Sequence, residues 1–157
     1  MKRLVVLIIG LAIASPCFAG DVAYRVGGKQ FTKAWHTFYD LSDHEPEIDD
    51  PLIKRGRPMV PAICGAIAHK DMKYRRYAIG ALGYIGDRRA LPILESILKD
   101  SSEIDYFRGD ALHSIYLIDR KLGTGYAHQY QHENEYLTML SGAVLKQEPW
   151  LLEPSEE

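Results

Sequence analysis

A pattern of small and apolar residues recurs in the middle of the chain, and this recurrence limits the folds open to it. The matching positions are Arg75, Ala78, Ile79, Leu82 and Ile85 in the first copy and Arg108, Ala111, Leu112, Ile115 and Ile118, each 33 residues later, in the second. The apolar members of each copy share one face of a helix. Helical units that recur every few dozen residues stack, because stacking buries their apolar faces. The sequence therefore predicts an all-α protein, a short right-handed α-solenoid of about three helical hairpins.

The first copy has a characteristic sequence between residues 74 and 100. It contains the string Ala-Leu-Gly-Tyr-Ile-Gly-Asp at residues 81–87, followed by Ala-Leu-Pro at residues 90–92. This segment resembles a HEAT-like repeat of the variety found in bilin lyases. Residues 105–119 resemble a second, degraded copy, and residues 57–71 resemble the second helix of a preceding copy. The resemblance implies a stack of helix pairs in a bacterial member of the HEAT-like repeat family, and the signal-peptide pattern described below marks that member as exported.

The degraded copy departs from the repeat pattern at three positions, which are Gly109, His113 and Tyr116. We expect helices at residues 33–41, 57–68, 88–99, 103–121 and 126–146, and a further helix that begins after Asp71 and ends near residue 85. Their predicted N-terminal caps are Thr32, Asp71, Asp87 and Ser102, and Gly86 is expected in the left-handed conformation. A break is predicted at residues 123–125.

Four segments are predicted along the chain: a signal peptide (1–19), an N-terminal arm with the first helix (20–51), the repeat domain (52–147) and a tail (148–157). The start of the arm alternates apolar and polar residues and has glycines at positions 27 and 28. This pattern suits a small hairpin or an irregular arm. In the tail, Trp150 and Leu151 are expected to dock onto the repeats.

The first residues have the three-part layout of a secretory signal peptide. Two basic residues precede an apolar run from Leu4 to Ala14, and Cys17-Phe18-Ala19 provides a small-x-small cleavage site before Gly20. The run is shorter than the roughly 20 residues that a membrane-spanning helix needs. We therefore expect cleavage after Ala19, no stable membrane insertion, and a periplasmic or secreted protein. A lipoprotein modified at Cys17 and an uncleaved, buried N-terminal helix are the alternatives.

Charge and cysteine content exclude some classes of function. The chain has 19 Lys and Arg residues and 21 Asp and Glu residues, and cleavage would remove Lys2 and Arg3. An acidic balance argues against nucleic acid, whose phosphates need a basic surface. Cleavage would leave Cys64 alone, so an intrachain disulfide is not expected. The apolar sequence around Cys64 favours a buried small side chain over a nucleophile.

Candidate metal ligands are sparse. His128 and His132 are four residues apart on a predicted helix, so both rings could face one metal ion together with Glu133 or Glu135. The alternative is that both histidines are exposed polar residues. No HExxH string supplies a general base, and the acidic segment at residues 43–50 lacks the glycine and terminal glutamate of a calcium loop.

Some HEAT-like proteins, the deoxyhypusine hydroxylases, hold iron through His-Glu pairs in the first helices of their repeats. The two His-Glu pairs of this chain, at residues 44–45 and 132–133, do not stand in that register. Arg76-Tyr77 and Gly109-Asp110 stand there instead. We therefore expect that the protein is not an enzyme and that it binds no metal and no cofactor.

Tyrosine and arginine are concentrated on the repeat helices. These two residue types dominate the energetic centres of protein interfaces. The predicted partner-binding residues are Tyr74, Arg75, Arg76, Tyr77, Tyr84, Arg88, Arg89 and Arg108. The alternative is that the tyrosines border the hydrophobic seam with their hydroxyls in water.

These observations lead to three functional hypotheses. The first is a non-catalytic module of the bacterial cell envelope that binds a protein partner through its helical-repeat surface, since such surfaces suit recognition. The second is a periplasmic inhibitor, or immunity protein, directed against a toxin enzyme. The third is a metal-dependent enzyme that uses His128 and His132.

Overall fold

The computed structural model describes residues 22–41 and 50–151. In these two ranges the chain forms eight α-helices. Their bounds are α1 Thr32–Asp40, α2 Pro51–Arg55, α3 Val60–Ile67, α4 Arg75–Ile85, α5 Leu91–Lys99, α6 Asp105–Ile118, α7 Arg120–Tyr130 and α8 Glu135–Lys146. None of the described helices combines the length and the hydropathy of a membrane-spanning segment. The predicted signal peptide, residues 43–49 of the acidic segment and the last six residues of the tail lie outside these ranges.

The helices stack in chain order, with α6 at the centre. This helix contacts α4 and α5 on the side of the preceding repeat and α7 and α8 on the other. At the N-terminal end, α1 contacts α2, and both α2 and α3 contact α4. The predicted all-α solenoid is confirmed.

The recurring positions of the two copies form the core between α4 and α6. Ile79, Leu82 and their counterparts Leu112 and Ile115 are fully buried. Small residues allow the two helices to approach closely. A Cβ atom built on Gly83 would lie only 2.8 Å from the Cα atom of Ser114.

Two predicted features at the end of α4 are confirmed. Gly86 has φ of 68° and ψ of 25°, the left-handed conformation that glycine adopts without steric cost. Asp87 accepts a hydrogen bond from the backbone N–H of Arg89, which caps the turn before α5. The turn between the two helices therefore forms where the repeat sequence predicts it.

Three other predicted caps are wrong, because each residue has a different position or partner. Thr32 is the first residue of α1 rather than its cap. The carboxylate of Asp71 accepts a hydrogen bond from the Tyr24 hydroxyl, and Tyr74 stands before α4. Ser102 donates its hydroxyl to the Asp100 carboxylate, and α6 begins only at Asp105.

The predicted break at residues 123–125 is also wrong. Helix α7 runs through both glycines, and Asp119 caps it by accepting a hydrogen bond from the backbone N–H of Leu122. The turn lies later, at residues 131–134, so the single helix predicted for residues 126–146 is instead α7 and α8. Asn134 caps α8 by accepting from the backbone N–H of Leu137.

The N-terminal arm is irregular, which was one of the two structures expected for it. A single parallel bridge joins Val22 to Met72. Two aromatic side chains of α1 hold the arm: Trp35 Nε1 donates to the Val26 carbonyl at 2.8 Å, and the Tyr39 hydroxyl donates to the Tyr24 carbonyl at 2.7 Å.

At the C-terminal end, the three departures from the repeat pattern on α6 all contact the segment that follows the repeats. A Cβ atom on Gly109 would lie 2.5 Å from the Tyr136 ring. His113 contacts the carbonyl of Leu151, and Tyr116 lies against Gly123. Leu151 is fully buried, so its predicted docking is confirmed. The second copy therefore departs from the repeat pattern at the positions that pack against α7, α8 and the tail.

Candidate functional site

An open groove of about 520 Å³ crosses the first turns of α4, α6 and α8. We call it the tyrosine groove. Its lining residues are Met72, Tyr74, Arg75, Arg76, Tyr77, Tyr106, Phe107 and Tyr136. Because α4, α6 and α8 are successive neighbours in the stack, the repeat brings these aromatic side chains side by side.

Arg76 connects the three helices across the groove. Its Nε donates to Asp110 Oδ2 at 2.7 Å, and its Nη2 donates to the Tyr136 hydroxyl at 2.8 Å. The guanidinium also lies over the Tyr106 ring, with its Cζ 5.7 Å from the ring centroid. The Arg76 side chain remains 48% exposed, whereas that of Asp110 is 15% exposed. The solvent-facing part of this ion pair is therefore the cation.

Burial dominates the ionisation of the two other members of this network. It raises the pKa of Asp110, although Arg76 and the Tyr136 hydroxyl act in the opposite direction. Burial and the nearby Asp110 carboxylate raise the pKa of Tyr136. Tyr136 therefore keeps its proton at neutral pH and remains a hydrogen-bond donor.

The edge of the groove carries an unusual backbone conformation. Tyr74, which precedes α4, has φ of 59° and ψ of 26°. Non-glycine residues seldom adopt this region, and they concentrate at functional sites where the surrounding structure holds them in place. Edge-to-face contacts with the rings of Phe38 and Tyr77, at centroid distances of 6.2 and 6.3 Å, hold the ring of Tyr74. Lys73 Nζ lies 4.4 Å from the centroid of that ring.

Two of the predicted partner-binding arginines are buried between repeats. Arg75 and Arg108 are each 3% exposed. Arg75 Nε donates to the Ile67 carbonyl and its Nη1 donates to Glu103, whereas Arg108 donates to the Leu98 carbonyl and to Glu133. These two side chains are therefore structural ties rather than members of an open surface.

The remaining predicted residues lie at the far end of α4. Tyr84 is half-buried in the last turn of the helix, and burial raises the pKa of its hydroxyl. Arg88 pairs with Asp119 at 2.7 Å and borders a separate cleft of about 450 Å³. Arg89 pairs with Asp87. The structure thus brings together only Tyr74, Arg76 and Tyr77 of the predicted surface, with Arg75 beneath them.

Sequence reasoning missed the contributions of Tyr106, Phe107, Asp110 and Tyr136 to this site. One signal was available, because Tyr106 and Tyr136 are 30 residues apart, the same offset as between Glu103 and Glu133. The sequence prediction joined α7 and α8 into one helix, so the start of α8 near Tyr136 was not recognised as the counterpart of the start of α6 near Tyr106.

The geometry that the metal hypothesis needs is not present. Helix α7 ends at Tyr130, so His128 is on the helix and His132 lies in the following turn. Glu133 is engaged by Arg108. Among the described residues, no group of three or more His, Cys, Asp or Glu side chains is placed to hold a metal ion.

Cys64 is half-buried in α3, and burial raises the pKa of its thiol to about 11. The thiol is therefore protonated at neutral pH. This environment is that of a packing residue, since the thiolate is the reactive form.

Comparison with known families identifies the repeat. Residues 74–100, which cover α4 and α5, match the family model of the PBS lyase HEAT-like repeat. No curated protein and no solved structure matches the chain significantly. The chain therefore carries a PBS lyase HEAT-like repeat at its centre, within the all-α solenoid that its sequence predicts.

Proposed function

We propose that this protein is a non-catalytic interaction module of the bacterial cell envelope and that its partner protein binds in the tyrosine groove. HEAT-like repeats are commonly protein-interaction modules, and helical-repeat folds are generally non-catalytic. The observation that carries the proposal is the meeting of Tyr74, Tyr77, Tyr106 and Tyr136 with Arg76 in one open groove. Tyrosine and arginine supply most of the binding energy in many protein interfaces.

Rigidity supports a role in recognition. The groove residues lie on three helices, and the hydrogen bonds of Arg76 fix its own side chain and that of Tyr136, so these two side chains lose little freedom on binding. Tyrosine adds apolar area together with a hydroxyl that can bond a partner backbone. The proposed location in the envelope rests on the signal-peptide pattern of residues 1–19 alone.

A capture experiment tests the groove. The tagged protein is expressed with its N-terminal segment, purified from the periplasm and incubated with envelope extract. We expect Tyr106→Ala and Arg76→Ala to lose a captured protein that the wild type retains, because Tyr106 is 39% exposed and Arg76 is the exposed cation of the groove. If the mature chain also begins at Gly20, export follows as proposed.

The matched control is Arg88→Ala, which removes an exposed, ion-paired arginine at the other end of α4. It should capture as much protein as the wild type. Equal capture by the Tyr106 and Arg76 variants would rule out the groove. Recovery of the uncleaved chain from the cytoplasm alone would rule out the proposed location.

A further inference from the structure

We infer that the acidic segment at residues 152–157 of this same chain binds in the tyrosine groove and competes with the partner. The segment has the sequence Leu-Glu-Pro-Ser-Glu-Glu and lies outside the described ranges. Its binding to the groove is independent of any partner, and only the competition rests on the proposed function.

The path of the described chain leads toward the groove. After α8 ends, Gln147 borders a cleft that Tyr116 also lines. Four residues later, the carbonyl of Leu151 accepts a hydrogen bond from His113 Nε2 at 2.9 Å. His113 precedes Tyr116 by three residues on α6. The chain therefore runs antiparallel to α6, toward the N-terminal end of that helix, where the groove lies.

The end of this path is anchored beside the groove. Leu151 is fully buried, and the ring of Trp150 lies 6.4 Å from the ring of His113. One turn earlier on α6, Asp110 bonds the groove residues Arg76 and Tyr136. The chain after Leu151 therefore starts within one helical turn of the Arg76 network.

The segment is long enough to cover the groove. Seven residues of α6 separate His113 from Tyr106, which corresponds to about 10 Å along the helix axis at roughly 1.5 Å per residue. An extended chain covers that distance with three or four residues, at about 3.3 Å each. Six residues follow Leu151 in the sequence, so their glutamates can reach the far rim.

The chemistry of the segment complements that of the groove. Among the described residues that line the groove, Arg76 is the cation that faces solvent, and its side chain is more exposed than that of its partner Asp110. Lys73 adds a second cation at the Tyr74 edge. Three glutamates in the segment can pair with these cations. Pro154 favours the extended conformation for itself and the residue before it, and aromatic grooves commonly bind such proline-containing segments.

Attachment makes this contact effective even where each interaction is weak. A segment tethered beside its site is present there at an effective concentration on the order of millimolar. A partner must therefore displace it, so the segment raises the partner concentration needed for binding.

Paramagnetic relaxation in the purified full chain tests the inference. Cys17 and Cys64 are replaced by alanine, Ser155→Cys receives a nitroxide label, and amide signals are compared before and after the label is reduced. We expect signal loss at groove residues on two helices, including Arg76, Tyr77, Tyr106 and Phe107. Replacing Glu153, Glu156 and Glu157 by glutamine should diminish the loss, because it removes the charges that pair with Arg76 and Lys73. The matched control, Glu95→Gln, removes a carboxylate on α5 and should leave it unchanged.

Two results would overturn the inference. One is signal loss confined to the neighbourhood of His113, which would place the label away from the groove. The other comes from a mixture of two samples, one chain with the isotope label and no nitroxide and one chain with the nitroxide and no isotope label. Signal loss in this mixture equal to that in the doubly labelled chain would mean that the segment binds a second copy. Neither result bears on capture of a partner by the groove, so failure here is distinguishable from failure of the proposed function.

Discussion

At the scale of single residues, one arginine in each repeat acts as a tie between neighbours. Arg75 and Arg108 occupy the same place in the two copies, and each bonds a carbonyl near the end of the preceding second helix. Each also bonds a glutamate from the turn before the following first helix, Glu103 or Glu133. Sequence reasoning assigned both arginines to a binding surface, because residue type and spacing do not distinguish a buried guanidinium from an exposed one.

Arg75→Ala is expected to destabilise the protein by about 3 to 5 kcal/mol, because the Glu103 carboxylate, 4% exposed, would remain buried without its partner. Urea denaturation followed by circular dichroism measures this change. Arg108→Ala is expected to cost less, since the side chain of Glu133 is 37% exposed and water can solvate it.

The double variant Arg75→Met with Glu103→Leu is the control for this prediction. It removes both charges and keeps similar volumes, so it should recover much of the lost stability. A double variant as unstable as Arg75→Ala would show that packing, and not the unpaired carboxylate, accounts for the loss.

At the scale of elements, the sequence predicts helices well where local chemistry decides their ends. Gly86 and Asp87 end one helix and begin the next turn through contacts within a few residues. Two glycines close together in the sequence predict a break in a helix, yet α7 continues through Gly123 and Gly125. The deciding contact is with another helix, because α6 brings Tyr116 against Gly123. Propensity alone contains no information about that contact.

The two glycines of α7 are therefore expected to respond oppositely to alanine. A Cβ atom at position 123 would lie 2.4 Å from the Cα atom of Tyr116, so Gly123→Ala must displace backbone and should cost about 1 to 3 kcal/mol. At position 125 no atom lies within 4 Å. Gly125→Ala should stabilise the protein by about 0.5 to 1 kcal/mol through helix propensity. Thermal denaturation of both variants measures the contrast, and a similar effect of the two substitutions would contradict it.

At the scale of the whole molecule, the ends of the solenoid determine which side chains meet at the candidate site. A short stack must close both faces with atypical units. Here the arm that bridges Val22 to Met72 closes one end, and α8 with the tail closes the other. Tyr136 enters the groove only because α8 is a separate helix beside α6. The sequence could therefore predict the α4 half of the site, from Tyr74 to Tyr77, but not the half that depends on the position of the cap.

Three aspartates in the turns between helices have lowered pKa values, and two of them, Asp100 and Asp119, bond a cation of the preceding unit, so the stability of the stack is sensitive to acid. Hydrogen bonds from Arg89 lower the pKa of Asp87 to about 2. The Lys70 ammonium and Ser102 lower the pKa of Asp100, and the Leu122 backbone N–H and Arg88 lower the pKa of Asp119. A carboxyl with a lowered folded-state pKa contributes stability above its unfolded pKa and loses it as the pH falls through its folded pKa.

Asp100 offers the clearest test, because its partner Lys70 belongs to the preceding unit, at a distance of 2.7 Å. Asp100→Asn should lower the denaturation midpoint at neutral pH. The difference from the wild type should close as the pH falls below about 4, since the unfolded aspartate titrates near there and the folded one below it.

Asp50 and Asp110, whose pKa values burial raises, act in the opposite direction but equally in both proteins. The matched control Asp40→Asn, at an exposed residue without an ion pair to any described residue, should leave the denaturation midpoint at neutral pH unchanged. A difference between Asp100→Asn and the wild type that persists unchanged at low pH would mean that the bond to Lys70 does not couple the two units.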